Sequence, residues 1–132
     1  MKIVEILHDG ASSHFLKYYQ CVNKQEYKHC LFMDFYPSYQ NGNKYIEKNK
    51  EIMILYKKFR VLANVAGALR FLKSKGIVHM DLTLNNVLIS SADVLPKIID
   101  FGESYSEIIK DKSKNDDNVE YSPGFTNPYG PP

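Results

Sequence analysis

The sequence contains no tryptophan, only two cysteines and no apolar run long enough to span a bilayer. Cys21 and Cys30 form no CxxC or zinc-type spacing, so we expect two semi-buried thiols in a reducing compartment. The first residues, MKIVEILHDGASS, include neither a long apolar run nor a small-residue cleavage site, and no secretory signal is expected. Together these absences predict a cytoplasmic or nuclear location without membrane association.

Charge of one sign is also scarce, because the formal net charge of the 132 residues is only +2. Such a small excess gives no reason to expect binding to nucleic acid or to an anionic membrane surface. Lysines crowd the stretch 44–58, but Glu47 and Glu51 interleave with them, which is typical of a solvated helix face. The length allows one domain with one core, and 44% hydrophobic with 24% charged residues is ordinary for a globular protein.

Several short segments have the composition of strands. Residues 3–7 (IVEIL) and 29–36 (HCLFMDFY) are apolar, β-branched and aromatic, so both are predicted to be strands. Residues 14–22 (HFLKYYQCV) fit either a third strand or a connection. Residues 36–43 (YPSYQNGN) collect Pro, Ser, Asn and Gly and are predicted to form a loop or hinge.

The strongest periodic signal predicts a long helix near residues 49–75. Lys73 and Lys75 suit its last turn, and Gly76 suits a left-handed cap. Gly67 lies in the helix interior, which costs roughly 1 kcal/mol relative to Ala, so we expect a close neighbour there. The apolar stripe recurs at three- and four-residue steps and consists of Ile52, Leu55, Phe59, Leu62, Ala66, Leu69 and Leu72.

Short strands and polar turns follow the helix. The pattern predicts strands at 77–78, 87–90 and 94–99, a polar loop between the first two, and a turn at 91–93. Residues 110–117 (KDKSKNDD) are charged, and the last residues are rich in turn formers. The order of elements therefore predicts an α+β fold.

Three oxygen-bearing side chains are expected at one edge of this small sheet. Asp81 and Asn86 lie on the polar loop, and Asp100 ends the next strand. Phosphoryl transfer requires a carboxylate to orient and deprotonate a hydroxyl, and hard oxygen ligands to hold Mg²⁺ against phosphates. Asp81 suits the first task, and Asn86 with Asp100 suits the second.

Two neighbouring residues favour the same interpretation without taking part in proton transfer. His79 lies among apolar residues and is expected to be a buried, hydrogen-bonded packing residue. Gly102 lets the chain turn sharply after Asp100. A lone DFG or His-x-Asp is common by chance, but here His-x-Asp-Leu-x-x-x-Asn runs into NVLI, a predicted hairpin and KIIDFG.

These motifs identify the chain as similar to the protein kinase family over nearly its whole length. HMDLTLNN (79–86) resembles the catalytic loop, which implies Asp81 as catalytic base and Asn86 as a catalytic-loop magnesium ligand. DFG (100–102) implies Asp100 as the main Mg²⁺ ligand and Phe101 as the packing residue that sets active or inactive states. ATP would be the phosphate donor and a protein hydroxyl the acceptor.

The resemblance extends to a nucleotide-binding hinge. HCLFMDFYP resembles the strand leading to the hinge, with Met33 in the gatekeeper position. The backbone from Asp34 to Tyr36 would then bond adenine, and Leu88 would lie beneath it. IVEIL resembles the stretch that follows the regulatory helix of the small lobe.

The resemblance also implies a division of this partial kinase domain. GFTNPYGPP resembles the end of an activation segment, with Thr126, Tyr129 and Pro132 in a Thr-x-x-Tyr-x-x-Pro pattern that favours serine/threonine specificity. The implied segments are the end of the N-lobe (1–35), the hinge with a short linker or helix (36–48), the long C-lobe helix (49–76), the catalytic loop with DFG (77–102) and the activation segment (103–132).

Some positions depart from the family pattern. Met80 replaces the arginine that in many members pairs with a phosphorylated activation loop, so switching by that route is not expected. Thr83 stands where serine/threonine-specific members usually have a lysine, and Leu84 replaces the usual proline. Both changes are expected to weaken stabilisation of the transition-state charge.

The sequence also shows no glycine-rich loop, no strand with an ATP-binding lysine and no helix with its glutamate partner. An incomplete kinase domain whose isolated chain is inactive or weakly active is therefore expected. Two alternatives stay open, a pseudokinase-like scaffold or interaction module and a small-molecule or atypical kinase. Retained Asp81, Asn86 and Asp100 count against the scaffold, and the DFG and GFTNPYGPP segments count against the atypical kinase.

Overall fold

The chain folds into short strands around one long helix. The computed structural model describes Ile3, Ile6, Leu7 and residues 13–20, 31–50 and 54–106. In chain order the elements are β1 (Tyr18–Gln20), β2 (Leu31–Met33), β3 (Tyr39–Asn41), α1 (Gly42–Lys48), α2 (Leu55–Ser74), β4 (Ile77–Val78), a 3-10 turn (Leu84–Asn86), β5 (Val87–Ser90), β6 (Pro96–Ile98) and β7 (Tyr105–Ser106).

The strands form three small antiparallel sheets. β5 lies at the centre of the largest, in the order β3-β5-β6, while β1 pairs with β2 and β4 pairs with β7. In the β5–β6 pair, Val87 lies opposite Ile98 and Leu88 lies opposite Lys97. Because side chains alternate along a strand, Val87 and Ile98 share one face and Leu88 and Lys97 share the other.

The long helix α2 begins at Leu55 and ends at Ser74, which is later than the predicted start near residue 49. After it, Gly76 adopts a left-handed backbone with φ 61°, and its amide donates to the Lys73 carbonyl at 3.0 Å. This confirms the predicted glycine cap, since only glycine enters that conformation without a Cβ penalty.

The two faces of α2 have different surroundings. Val65, Ala68 and Leu72 pack against the core. Most of the predicted apolar stripe lies on the other face, where Phe59 is 61% exposed and Leu62 is 62% exposed. Within the described ranges, that face is not covered by another element.

Two hydrophobic clusters hold the elements together. The larger joins α2 to β4 and β6 and consists of Ile3, Leu7, Phe15, Ala68, Leu72, Ile77 and Ile98. The smaller lies between α1 and β5 and consists of Tyr45, Val87, Ile89 and Val94. Val65 and Leu82 pack against both clusters, so the two form one continuous core around the central sheet.

Two secondary-structure predictions near the beginning of the chain are corrected. Ile3, Ile6 and Leu7 are helical, so the strand predicted at 3–7 is wrong. Ile3 and Leu7 are both buried four residues apart, a helical spacing that outweighs the strand preference of β-branched residues. The open question about 14–22 is resolved in part, because Phe15 bridges Ile98 and β1 begins at Tyr18.

The stretch 36–43, predicted as a loop, contains two regular elements. A turn at 37–38 leads into β3, and α1 begins at Gly42. Asn41 ends the strand and caps the helix, since its side-chain oxygen accepts a hydrogen bond from the Lys44 amide at 2.9 Å. The polar composition was therefore the signal of a capped helix start.

Several predictions fall outside the described residues. They concern Cys21, Cys30, Ile52, the charged stretch 110–117, and Thr126, Tyr129 and Pro132. Among the helices that the structure does describe, none combines the length and apolarity needed to cross a membrane.

The replacement of Gly67 by Ala should stabilise the chain. A Cβ at this position would lie 3.5 Å from His14 Nε2, an ordinary van der Waals contact, so the predicted close neighbour leaves room for a methyl group. We expect Gly67→Ala to raise the free energy of unfolding by about 0.5–1 kcal/mol, because Ala loses less backbone entropy in a helix. Urea unfolding followed by circular dichroism measures this.

Gly42→Ala is the matched control. A Cβ there would lie 2.8 Å from the Leu84 carbonyl oxygen, a backbone atom that cannot rotate away. We expect a loss of about 1–3 kcal/mol from this overpacking. Equal effects of the two substitutions would contradict the described packing of α1 on the loop at Leu84.

Candidate active site

The loop between β4 and β5 carries two of the predicted site residues, Asp81 and Asn86. It ends in the 3-10 turn, which the Asn86 amide closes by donating to the Thr83 carbonyl at 3.0 Å. Thr83 is buried, and Leu84 lies against Gly42 at the start of α1. The second half of the loop is therefore held by the 3-10 turn and by its packing against the start of α1.

The side chains of Asp81 and Asn86 are joined directly. Asn86 Nδ2 donates to the Asp81 carboxylate Oδ2 and to the Asp81 carbonyl, at 2.9 Å in each case. Because both amide hydrogens of Asn86 point toward Asp81, its side-chain oxygen points away from that residue. The other carboxylate oxygen, Asp81 Oδ1, is buried and has no hydrogen-bond partner among the described residues.

Asn86 is placed beside Asp100 by the pairing of β5 with β6. The ladder continues one residue past the strands, because the Ile99 amide donates to the Asn86 carbonyl at 2.9 Å. Asp100 is the next residue after Ile99. The structure therefore brings Asp81, Asn86 and Asp100 to one edge of the central sheet, as the sequence predicts.

Asp100 has an unusual backbone conformation. Its φ of 61° is left-handed, which is uncommon for a residue with a Cβ and costs free energy. The conformation leaves Asp100 exposed while Phe101 turns toward the core. The Gly102 amide donates to Asp100 Oδ1 at 3.2 Å, and a Cβ on Gly102 would lie 3.2 Å from that oxygen.

His79 connects the loop that carries Asp81 with the segment before Asp100. It is 3% exposed, and its Nε2 lies 2.9 Å from the Ile99 carbonyl, an acceptor that requires the proton on Nε2. Its Nδ1 is then free to accept from the Asp81 amide at 3.4 Å. Both ring nitrogens are used inside the protein, which suits the packing role predicted for His79.

Phe101 and Met80 show how the site is packed. The Phe101 ring lies 4.8 Å from the His79 ring and 5.8 Å from the Phe15 ring. Met80, the residue in place of the family arginine, has a left-handed backbone with φ 68°. Strained backbone therefore occurs at Asp100 and immediately before Asp81, and the buried rings hold the chain in it.

The predicted hinge follows β2 directly. Met33 is 52% exposed and lies opposite Tyr18 in the β1–β2 pair. The Asp34 amide donates to the Lys17 carbonyl, and the Tyr36 carbonyl accepts from the Tyr39 amide, both at 3.0 Å. Within the described ranges, the Asp34 carbonyl and the Tyr36 amide have no backbone partner.

Leu88 lies in the middle of β5, on the face opposite Val87 and Ile89. Val87 and Ile89 are buried in the smaller hydrophobic cluster, whereas Leu88 is only half-buried. Its cross-strand partner Lys97 extends to the hinge, where Lys97 Nζ lies 4.9 Å from the centre of the Tyr36 ring. The face that carries Leu88 is therefore continuous with the hinge.

Sequence reasoning gave no role to two buried polar residues of this region, Lys97 and Tyr18. Tyr18 is 8% exposed; burial raises the pKa of its phenol, while a hydrogen bond with the Asp100 backbone opposes that shift. Burial lowers the pKa of Lys97. The available signal for Lys97 was its position between Pro96 and Ile98, where alternation places it on the face of Leu88.

A cation bound by Asn86 and Asp100 would need further ligands from outside the protein. Among the described residues, no group of three or more His, Cys, Asp or Glu side chains is placed to hold a metal ion. The Asn86 side-chain oxygen and the Asp100 carboxylate nevertheless suit Mg²⁺, which usually takes one or two protein oxygens together with phosphates and waters. The donor set therefore fits Mg²⁺ only in company with a phosphate ligand.

The hydrogen bonds of His79 are expected to stabilise the fold. His79→Phe keeps a ring against Phe101 but leaves the Ile99 carbonyl without its donor. We expect a loss of about 1–3 kcal/mol in the free energy of unfolding, the cost of an unsatisfied buried group. Urea unfolding measures it.

Asn85→Ala on the same loop provides the control. Asn85 accepts one exposed hydrogen bond from Asn43 at 2.8 Å, so its loss should change stability by less than about 0.5 kcal/mol. A His79→Phe variant as stable as Asn85→Ala would contradict the role of His79.

Comparison with protein families gives a match over nearly the whole chain. A family model described as "Protein tyrosine and serine/threonine kinase" matches residues 1–128.

Comparison with curated proteins gives shorter matches. The chain is 38% identical over 66 residues to a "Probable serine/threonine-protein kinase gdt2" of Dictyostelium discoideum, covering 47% of this chain and 4% of that protein. It is 38% identical over 65 residues to serine/threonine-protein kinase PLK4 of Nematostella vectensis, covering 48% and 6%. A third match, serine/threonine-protein kinase D of Synechocystis, is 38% identical over 42 residues, covering 32% and 8%. The aligned parts span less than a tenth of each of these proteins.

Proposed function

Because the chain belongs to the protein tyrosine and serine/threonine kinase family, and is thus related to ATP-dependent phosphotransferases, we propose that it supplies the catalytic loop and the metal site of a serine/threonine kinase. The whole protein would transfer the γ-phosphoryl group of ATP to a protein hydroxyl. The observation that carries the proposal is the double role of Asn86. Its side-chain amide donates to the Asp81 carboxylate, and its backbone carbonyl accepts from the amide of Ile99, the residue before Asp100.

Asp81 is the proposed catalytic base. It orients the acceptor hydroxyl and receives its proton as the oxygen attacks phosphorus. Its Oδ2 is held by Asn86, whereas Oδ1 has no partner among the described residues. A carboxylate oriented through one oxygen, with the other left without a hydrogen-bond partner among the described residues, supports this role.

Asn86 and Asp100 are the proposed magnesium ligands. The Asn86 side-chain oxygen points away from Asp81. Asp100 is exposed and follows Ile99, whose amide donates to the Asn86 backbone carbonyl. When bound, Mg²⁺ neutralises charge on the phosphates. The residues of this chain contribute by holding the two oxygen ligands in place through the Ile99 backbone.

Adenine would be bound at the hinge. The Asp34 carbonyl and the Tyr36 amide provide one acceptor and one donor for its edge, with Met33 beside them and Leu88 beneath the ring. The half-buried face of β5 that is continuous with the hinge supports this assignment. The partial-domain boundaries, with the N-lobe ending at residue 35 and the activation segment at 103–132, are part of the same proposal.

Partners and regulation follow from the same assignment. The proposed partners are ATP and a protein substrate, without nucleic acid or membrane, in the cytoplasm or nucleus. Met80 offers no cation to a phosphorylated activation segment, so activation by that route is not proposed. The glycine-rich loop and the lysine that contact the ATP phosphates in this family are absent from this sequence. The isolated chain is therefore proposed to be inactive or weakly active.

A kinase assay on the purified chain tests the proposed inactivity. With Mg²⁺ and labelled ATP, we expect phosphate transfer to a generic protein acceptor to stay at the level of the Asp81→Asn variant. The reason is that positioning and charge neutralisation provide nearly all of the catalysis in this reaction. Turnover above that background which disappears in Asp81→Asn would contradict the proposed inactivity and support Asp81 as base.

Nucleotide binding can be tested separately from turnover. MgATP at ten times its dissociation constant should stabilise the folded chain by roughly 1.4 kcal/mol, seen as a rise in Tm. Asp100→Asn should lose the part of this rise that depends on Mg²⁺, because it removes the negative ligand charge.

Glu103→Gln is the matched control, since Glu103 is exposed three residues beyond Asp100. It should keep the Mg²⁺-dependent rise. A folded wild-type chain whose Tm does not change with MgATP would favour the scaffold alternative instead.

A further inference from the structure

Lys97 is a buried cation that none of the proposed catalytic roles uses. It lies in β6 with 9% of its surface exposed. Its Nζ donates to the Ser13 carbonyl at 2.7 Å and to the Phe15 carbonyl at 3.3 Å. Burial of an ammonium group costs free energy unless its N–H groups donate hydrogen bonds. The hydrogen bonds to these two carbonyls offset that cost for Lys97.

The third neighbour of the ammonium is the hinge. Lys97 Nζ lies 4.9 Å from the centre of the Tyr36 ring, within the range of a cation–π interaction. Such contacts strengthen when the cation is withdrawn from water, as Lys97 is. One side chain thus joins β6, the segment 13–15 before β1, and the hinge.

The hinge residue Asp34 is held from a second direction. Its carboxylate accepts from the Tyr19 hydroxyl at 2.9 Å and from the Tyr36 hydroxyl at 3.3 Å. The Tyr36 ring also packs edge-on against the Tyr39 ring, with centres 5.3 Å apart. Tyr36 is therefore fixed at its hydroxyl by Asp34 and at its ring by Lys97 and Tyr39.

The position of Lys97 along β6 links this hinge network to the metal site. Two residues, Ile98 and Ile99, lie between Lys97 and Asp100, and the Ile99 backbone is hydrogen-bonded to Asn86 and His79. Leu88, opposite Lys97, is the residue proposed to lie beneath adenine. β6 therefore carries the hinge contact at Lys97, and the proposed metal ligand Asp100 follows two residues after its end.

We propose that Lys97 is a positioning residue for the nucleotide, which fixes the hinge Asp34–Tyr36 against β6 and so sets the adenine site relative to Asp100. This inference rests on the proposed function, since it assumes that adenine binds at the hinge. Lys97 acts through the hinge backbone and does not touch the phosphates. Its loss should weaken recognition of adenine and leave the contribution of Mg²⁺ unchanged, because preorganisation of the hinge is what is lost.

The test uses Lys97→Met, which keeps the length and apolar stem of the side chain and removes the charge. Adenosine and MgATP binding would be measured by NMR titration of the full chain, the latter with and without Mg²⁺. We expect adenosine affinity to fall about tenfold, from the combined loss of the cation–π contact and of hinge order. The ratio of ATP affinities with and without Mg²⁺ should stay as in the wild type.

Lys75→Met is the matched control, because Lys75 Nζ lies 5.7 Å from the Phe71 ring on the exposed end of α2. It removes the same charge over a ring at a distance from the hinge, and should leave both affinities unchanged. Lys97→Arg, which retains a cation for the Tyr36 ring and donors for the two carbonyls, should recover part of the adenosine affinity.

Hydrogen exchange reports the positioning itself. The Asp34 amide, bonded to the Lys17 carbonyl, should exchange faster in Lys97→Met, while the amides of α2 keep their wild-type rates. Faster exchange of all amides in Lys97→Met would show that Lys97 only stabilises the fold, and would overturn the inference. An equal loss of adenosine affinity and of the Mg²⁺-dependent part of ATP affinity would have the same meaning. Wild-type affinities in Lys97→Met would also overturn it.

Two other results, a wild-type chain that does not bind adenosine and a Lys97→Met variant that does not fold, can be distinguished from those above. If wild-type chain binds MgATP but not adenosine, the adenine assignment at the hinge fails, and the inference fails with it. If Lys97→Met does not fold, Tyr19→Phe replaces it, because this exposed hydroxyl holds the other side of Asp34. A selective loss of adenosine affinity in Tyr19→Phe would support a hinge that is held in place by its side-chain contacts, and wild-type affinity in this variant would contradict it.

Discussion

The backbone of one residue, Ile99, holds the proposed site together. Its amide donates to the Asn86 carbonyl and its carbonyl accepts from His79 Nε2, each at 2.9 Å. Through the first bond Asn86 and Asp100 become neighbours, and through the second the His79 ring is oriented to accept from the Asp81 amide. These two bonds add to the β5–β6 pairing, in which Val87 lies opposite Ile98, in keeping the loop at 79–86 next to Asp100.

Free energy stored in the backbone is balanced by packing around this junction. Met80 and Asp100, with φ of 68° and 61°, adopt conformations that cost of order 1–3 kcal/mol each. Burial of His79, Phe101 and Phe15 in one aromatic cluster offsets that cost, because leaving the left-handed conformation at Asp100 would withdraw Phe101 from its place against the other two rings. The strain and the exposure of Asp100 are thus two consequences of one arrangement, which turns the carboxylate outward while the next side chain packs inward.

The elements closest to the chemistry were the most predictable from sequence. The strand at 87–90, the turn at 91–93 and the Gly76 cap follow from strongly local signals, which are a short run of β-branched and aliphatic residues, a cluster of turn formers and the need for a positive φ. Local composition failed at IVEIL, where helical burial spacing outweighed strand propensity, and at 36–43, where Asn41 was a helix cap rather than a loop former. Alternation along the strand places Lys97 on the face of Leu88, but its hydrogen-bond partners could not be predicted from sequence, because they are the carbonyls of residues more than eighty positions away.

We propose that Asn86 and Asp100 form one cation site when a nucleotide supplies phosphates. The most direct measurement is an NMR spectrum of the chain with ATP and substoichiometric Mn²⁺, a paramagnetic substitute for Mg²⁺. If both residues bind the cation, the Asn86 side-chain amide and the backbone amides of Asp100 and Gly102 should broaden selectively, with the amides of α2 near Ser74 unaffected. Broadening that spares Asn86 and Asp100 while appearing elsewhere would contradict it.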